Sequence, residues 1–441
     1  MKIIEQFFAL AKERGITASQ VQIAKSKSTS FSLFRKEIDS FSVEGSQSIR
    51  AAGIYNGKFG VATTQRLDKT TPEYLVNSII ESASLNESPD EREIFKGSEK
   101  YHKRNLYDPA LQETTIEEKI ALAHKIEEEL LAYDPKVTEV EAIGYAETEA
   151  ESEFHNSYGL KLKNKRNLFH FYAGAIAKDG EETKSAFDVV FGTNLKDFDE
   201  KPLVQRIGDR LLAKFGGVQC EAGKYPTVLR HDVFSSLLGY FLDAASSDEI
   251  QRQSSFLCGK LNEKIASTKL SISERPYAKN LFYSYFDAEG VARSNKDIVK
   301  NGVLKTYFYN LETAKKDGVE TTGNAQWAGN KMGIGWTNVF VKGSKKSFDD
   351  MIAPIKEGVF ITEIEGLGTG MNEVSGQFSC QAQGFMIRDG KIAEPLTLIT
   401  LSGTILGMLQ DIKDLSSEAV MHLNSITCPD VLIKRMSIGG K

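Results

Sequence analysis

Four dipeptides constrain this chain more than any other feature. Asn56-Gly57, Asp179-Gly180, Asn301-Gly302 and Asp389-Gly390 each separate two strand-like runs. Asn-Gly and Asp-Gly tolerate the positive φ angles of a two-residue type I′ turn, whose twist matches that of the flanking strands. Two of the four fall in each half of the chain, so antiparallel sheet is expected in both halves. There is no βαβ alternation, no regular repeat and no low-complexity tract. The expected class is α+β.

A chain of 441 residues exceeds what one hydrophobic core supports, which predicts two domains. We place an N-terminal α+β domain with an antiparallel sheet at 1–219. A C-terminal domain at 220–441 is dominated by a curved, barrel-like antiparallel sheet. The boundary falls in the glycine-rich stretch from Phe215-Gly216-Gly217 to Gly223-Lys224, between a long β region and a new helix.

Helical periodicity marks the other elements. From Met1, the apolar residues Ile3, Ile4, Phe7, Leu10 and Ala11 share one face, and Gly15 follows as a stop. Thr71-Pro72 sets a capping residue before a first-turn proline, ahead of Leu75, Ile79 and Ile80. Thr115 and Glu118 form a capping box for a helix carrying Ile116, Ile120, Ala123, Ile126 and Leu130, with Glu127 to Glu129 read as its solvated face. In the second half a helix is predicted over 232–245, from Val233, Phe234, Leu237, Leu238 and Phe241, and another over 347–355. Strands are expected at 280–286, 303–308, 339–341, 359–362, 378–387 and 396–401.

Charge and cysteine content narrow the function classes. The formal net charge is −5 and no Lys/Arg-rich block is present, so direct nucleic-acid binding is not supported. Glu5 interrupts the first apolar run and no small-residue cleavage site follows, which reads as a helix and not a signal peptide. No uncharged apolar stretch is long enough to span a bilayer. Cys220, Cys258, Cys380 and Cys428 are scattered without a CxxC pair, as suits a reducing cytoplasm, which is the expected location.

The familiar catalytic signatures are missing. The histidines are His102, His124, His155, His170, His231 and His422, and no two can share one helical face. Neither HExxH nor HExxxH occurs, so a histidine metal site would have to be assembled from distant segments. The run Gly366-Leu367-Gly368-Thr369-Gly370 lacks the Lys-Ser/Thr of a phosphate loop and reads as a turn bordering a groove. Cys380, in Gly376-Gln377-Phe378-Ser379-Cys380, fits strand alternation, and no neighbouring base marks it as a nucleophile.

An ordered set of segments nevertheless resembles one family. Asp287-Ala288-Glu289-Gly290-Val291-Ala292 is followed by Asn301-Gly302-Val303-Leu304 and by Thr321-Thr322-Gly323-Asn324-Ala325. Gly366-Leu367-Gly368 then leads to Val374-Ser375-Gly376-Gln377-Phe378-Ser379. After these come Gln383-Gly384-Phe385-Met386-Ile387, Asp389-Gly390-Lys391-Ile392, Pro395 and Ile399-Thr400-Leu401-Ser402-Gly403. Gly45 to Arg50 and Gly57 to Ala62 supply a second region. In order and spacing these segments are similar to the TldD/PmbA family, also called modulators of DNA gyrase.

The resemblance implies two types of chain. The TldD type carries HExxxH on the first helix of its C-terminal domain, with a distant cysteine as third zinc ligand. The PmbA (TldE) type lacks the histidines and pairs with a TldD-type subunit in a heteromeric peptidase. Counting back from Ser255-Phe256-Leu257-Cys258-Gly259, the motif positions fall here on Leu238, Gly239 and Asp243, and Cys428 lies near the cysteine's place. Leucine cannot ligate zinc and glycine cannot act as a base, so these are degenerate positions and no resident metal is expected.

The expectation is therefore a non-catalytic PmbA-type subunit, with zinc only in its TldD-type partner, shaping a groove for extended peptide. Gly366, Gly368, Gly370, Asn372, Ser379 and Cys380 are the candidate groove residues. The alternatives are a homodimeric peptide-binding or scaffold protein acting alone, and an enzyme using Cys380 or Cys428 as nucleophile.

Overall fold

The structure is a computed structural model that describes residues 2–85, 92–329 and 331–441. Met1, which opens the first apolar run, lies outside the described residues. The chain divides into two compact units. One is Met1–Ala213 with Glu289–Ala292, the other Lys214–Ala288 with Arg293–Lys441. The class is α+β in both.

In the first unit the elements run α1 (Lys2–Glu13), β1 (Ile16–Phe34), β2 (Glu37–Tyr55), β3 (Lys58–Thr64), α2 (Thr71–Ser84), α3 (Ala110–Glu113) and α4 (Ile116–Leu131). They continue with β4 (Val137–Asn156), β5 (Lys161–Asp179), β6 (Glu182–Gly192) and α5 (Lys201–Leu212). The strands form one antiparallel sheet in the order β3-β2-β1-β4-β5-β6. Ile4, Phe7 and Ala11 of α1 and Leu75, Val76 and Ile79 of α2 bury one end of its inner face, against Val21, Ile23, Ile49, Ala51 and Ala62. Aromatic rings fill the middle, with Tyr145 stacked on Phe31 at 5.3 Å and tilted against Phe171 at 4.7 Å between centroids.

The Thr115–Glu118 capping box forms as expected, with bonds of 3.2 and 2.7 Å. Two other expectations need correcting. Thr71 is the first residue of α2 and does not cap it. Its hydroxyl donates to Arg66 O and accepts from Asp68 N, fixing the preceding turn instead. Glu127 is buried, not solvated, because its carboxylate accepts the Lys36 backbone N–H at 2.9 Å. Lys119 on the same helix is also buried, ion-paired to Glu147 of β4 at 2.8 Å, and Tyr145 donates to the same Glu147 oxygen at 2.6 Å.

Three of the four turn dipeptides sit as read. Asn56-Gly57, Asn301-Gly302 and Asp389-Gly390 all have positive φ at both positions. Asp179 instead pairs with Glu182, so the remaining turn is Gly180-Glu181, with positive φ at glycine alone. A further two-residue turn, Arg35-Lys36, joins β1 to β2 with φ of 50° and 64°. It carries no Gly, Asn or Asp, and nothing in its sequence announces it.

The second unit opens with β7 (Gly223–Leu229), α6 (His231–Ala244), α7 (Ser247–Gln251), β8 (Ile272–Glu274), β9 (Lys296–Lys300), β10 (Val303–Leu304) and α8 (Leu311–Asp317). Then come β11 (Ala325–Ala328), β12 (Lys331–Ile334), β13 (Val339–Val341), α9 (Phe348–Ile352), β14 (Glu357–Glu365), α10 (Leu367–Gly370) and β15 (Met371–Asn372). It ends with β16 (Gln377–Arg388), β17 (Lys391–Thr404), α11 (Ile405–Gln410), β18 (Ile412–Met421) and β19 (Ile426–Gly439). The large sheet is mostly antiparallel, with β7–β14 and β13–β19 running parallel. Because β19 pairs with β7 as well as β17, the strands β19-β17-β16-β14-β7 close into a ring. Val233, Phe234, Leu237, Leu238, Phe241 and Leu242 of α6 are all buried in this core, each contributing roughly 2 kcal/mol by removal from water.

The strand expected over 280–286 is absent. Asn280 accepts from Phe282 N at 3.0 Å and Ser284 N bonds Pro276 O, so local turns take the groups a ladder would need. The strand expected over 303–308 stops at Leu304, since Phe308 N turns to Ala245 O at 2.9 Å.

Candidate functional site

Helix α6 is where the resemblance places a catalytic motif, and its faces differ sharply. Leu238 is 0% exposed and points into the core. Gly239 and Asp243, four residues apart, lie on the open side, and a Cβ on Gly239 would meet nothing within 4 Å. Asp243 accepts the indole N–H of Trp336 at 2.9 Å. Crowding of its carboxylate raises its pKa even though the residue is exposed overall. The Trp336 bond opposes this shift, and the charge of Glu373 adds to it.

The glycine-rich segment forms a turn held by its own backbone. Gly366 has φ 72°, and Gly370 N bonds Gly366 O at 2.9 Å. A Cβ on Gly370 would lie 2.0 Å from Ser379 O, so only glycine lets the turn rest against β16. Asn372 spends its side chain on the next turn, accepting from Ser375 N at 3.0 Å. Gly366, Gly368, Asn372 and Ser379 are exposed, whereas Cys380 faces the core, its Sγ donating to Leu401 O at 3.7 Å. Burial pushes the Cys380 thiol up to about 11, which keeps it protonated and inert near neutrality.

Tertiary structure also brings together residues that sequence spacing held apart. His231, at the start of α6, and His422, beyond the end of β18, stack with centroids 5.0 Å apart. His231 Nδ1 lies 3.2 Å from His422 Nε2. Cys428 Sγ donates to His231 O at 3.1 Å, and Asp430 accepts from His231 N at 2.7 Å. Burial pushes the Cys428 thiol up, and the charges of Asp430 and Asp232 push it further. Burial likewise lifts Asp430 to about 6, against the bond from His231 N. Among the described residues no group of three or more His, Cys, Asp or Glu side chains is placed to hold a metal ion. No local signal in the sequence marks this, because it is the long-range pairing of β19 with β7, the strand just before α6, that carries Cys428 and the β18–β19 turn with His422 to the helix.

The segments that carried the resemblance pin the fold from within. Asn324 donates to Glu274 Oε1 and Gly335 O, both at 2.9 Å, and Lys296 bonds both Glu274 and Asn324. Burial lowers the Lys296 pKa while the Glu274 carboxylate opposes the shift. Asp287 accepts from Ala325 N at 3.0 Å. In the first unit, Tyr101 donates to Gly290 O at 2.7 Å, so a short stretch of the later chain is bonded into it. That unit also holds a cavity of about 810 Å³ between α1 and the β4–β5 turn, and no residue nominated from sequence lines it.

Two family models cover most of the chain. Residues 222–440 match the PmbA/TldA metallopeptidase C-terminal domain, and residues 109–215 match the central domain of the same family. The chain belongs to the PmbA/TldD family. Among PmbA relatives, "Metalloprotease PmbA" of Escherichia coli O157:H7 is 25% identical over 453 positions, spanning 100% of this chain and 97% of that one. A "Metalloprotease" of Methanothermobacter thermautotrophicus is 31% identical over 63% of this chain and 62% of its own length. The fold is that of a candidate modulator of a DNA gyrase from Thermotoga maritima, with TM-score 0.93, 28% identity and 99% of each chain covered. TldE from Thermococcus kodakarensis shares the fold at TM-score 0.89 and 21% identity, over 99% of this chain and 100% of that one. No described helix is long and apolar enough to cross a membrane.

Proposed function

We propose that this chain is the non-catalytic, PmbA/TldE-type subunit of a TldD/PmbA metallopeptidase, acting beside a zinc-bearing TldD-type partner in peptide processing. The observation that carries the reading is what α6 bears at the motif positions. At the motif positions stand a buried leucine, a glycine, and an aspartate engaged by Trp336. Zinc peptidase chemistry needs paired imidazole ligands, no histidine stands at these positions, and Asp243 alone cannot replace two imidazoles. The resemblance to proteins named metalloprotease PmbA supports the assignment to the peptidase system.

The role left to the chain is recognition. Extended peptide can be held through main-chain hydrogen bonds along a strand-rich wall, with side-chain selectivity set only at its edges. The exposed residues Gly366, Gly368, Asn372 and Ser379 are the proposed wall. Cys380 contributes from behind as core.

The test is zinc content and peptide cleavage on the pure chain, and again with a TldD-type subunit of the same host. Zinc and cleavage arising only in the mixture support the subunit reading. Stoichiometric zinc with cleavage by the isolated chain would overturn it. Peptide binding by a homodimer, with no TldD-type association, would establish the stand-alone scaffold instead.

A further inference from the structure

Among the described residues, the sheet of the first unit has an edge that is paired along only part of its length. Strand β2 is paired to β1 along its whole length, from Glu37 to Tyr55. On its other edge β3 pairs only with Ile49–Tyr55. Among the described residues no strand pairs with the outer edge of 37–48, and only the Gln47 side chain, bonded to Gln65 O, closes its inner end. Residues 37–46 thus present about 33 Å of unpaired strand edge.

The inner face of the same stretch is uncovered and apolar. Alternation puts Val43 and Phe41 on the face of Ile49, which is 1% exposed. Phe41 lies opposite Phe31, 2% exposed, yet Phe41 itself is 51% exposed and Val43 57%. The core formed with α1 and α2 takes Ile49 and Ala51 from β2 and no earlier residue of that strand. Edge strands are ordinarily guarded by lysine, proline or bulges. Here one irregularity falls at Asp39, and from 40 to 48 there is neither lysine nor proline.

We infer that this edge is the docking seam for an extended strand of the partner subunit, which adds to the sheet beside β2 and covers Phe41 and Val43. The inference rests on the subunit reading above. Charge decides the occupant. Residues 37–48 carry Glu37, Asp39 and Glu44 and no basic residue, with Arg35, Lys36 and Arg50 only at the flanks, so a second copy would bring the same excess of carboxylates to the ladder. A strand with apolar residues at alternate positions and basic or neutral residues between them complements the seam.

The experiment uses the full chain and a TldD-type subunit purified from the same host. Val43→Lys and Phe41→Lys place a charge on the exposed apolar face without touching the β1 ladder. Each is expected to weaken association by at least about tenfold, with the thermal melt of the isolated chain unchanged. Amide exchange over 38–46 in the wild-type chain should slow on complex formation, which reads the seam without any variant. Association and exchange unaffected by the partner strand, in a complex that does form, would overturn the seam and leave the subunit reading standing. No complex at all would sink the subunit reading itself. Wild-type self-association abolished by Val43→Lys would overturn the choice of occupant in favour of a second copy.

Discussion

His231 Nδ1 and His422 Nε2 face each other at 3.2 Å, although they lie 191 positions apart in the chain, and each imidazole is the other's hydrogen-bond partner. A metal ligand must offer that lone pair outward, with a deprotonated third donor close by. The nearest thiol, Cys428, is held protonated by burial and donates to a carbonyl.

The first expected outcome follows from that pair. The isolated chain, equilibrated with excess zinc and then desalted, should retain far less than one equivalent by elemental analysis. His422→Ala should leave that content unchanged, since the imidazoles serve each other. Stoichiometric zinc lost in His422→Ala would refute this.

Asp430 makes stability depend on pH. Its folded pKa is raised from 3.8 to about 6 by burial, so the folded state holds its proton where the unfolded chain has released it. The contribution is complete below about pH 4 and is lost as pH rises through about 6, a difference of roughly 2–3 kcal/mol. Asp430→Asn keeps the acceptor for His231 N and cannot ionise. Urea unfolding should show the variant more stable than wild type at pH 7.5, with the gap closing toward pH 4.

The Arg35-Lys36 turn holds two side-chain-bearing residues at positive φ. Replacing them by Asn-Gly supplies the residues such a turn favours and should stabilise the first unit by about 1 kcal/mol. A rise in the urea midpoint at constant slope is the readout.

The Lys119–Glu147 pair is buried on both sides, at 4% and 10% side-chain exposure. Lys119→Met leaves the Glu147 carboxylate buried with Tyr145 as its remaining partner. The expected cost is about 3–5 kcal/mol, measured by chemical denaturation. Replacing both charges, Lys119→Met with Glu147→Gln, should recover a large part of it.

Gly370→Ala drives a methyl group to 2.0 Å from Ser379 O. The turn must lift from β16, at about 1–3 kcal/mol. Peptide affinity should fall with it. An affinity equal to wild type in a Gly370→Ala variant that still folds would remove the turn from the proposed groove.

Local chemistry explains which elements were legible. The capping box at Thr115, the periodicity of α6 and three Asn-Gly or Asp-Gly turns are written in residues a few positions apart. The expected strand over 280–286 failed for an equally physical reason. Its β-forming residues Phe282, Tyr283, Tyr285 and Phe286 are apolar enough, but Asn280 and Pro276 capture the backbone in turns. Glu127 looked solvated because acidic neighbours follow it, and only the Lys36 amide, 91 positions away, explains its burial.

The sequence by itself determined the absence of a helical zinc motif, the α+β class and the family, because these depend on residue identity, period and ordered short motifs. Tertiary structure alone decided that His231 meets His422, that Cys380 and Cys428 are buried thiols, that five strands close into a ring, and that β2 keeps an open edge. Each of those depends on which distant strands pair, and strand register is fixed by the burial of whole faces, which no local stretch of sequence encodes.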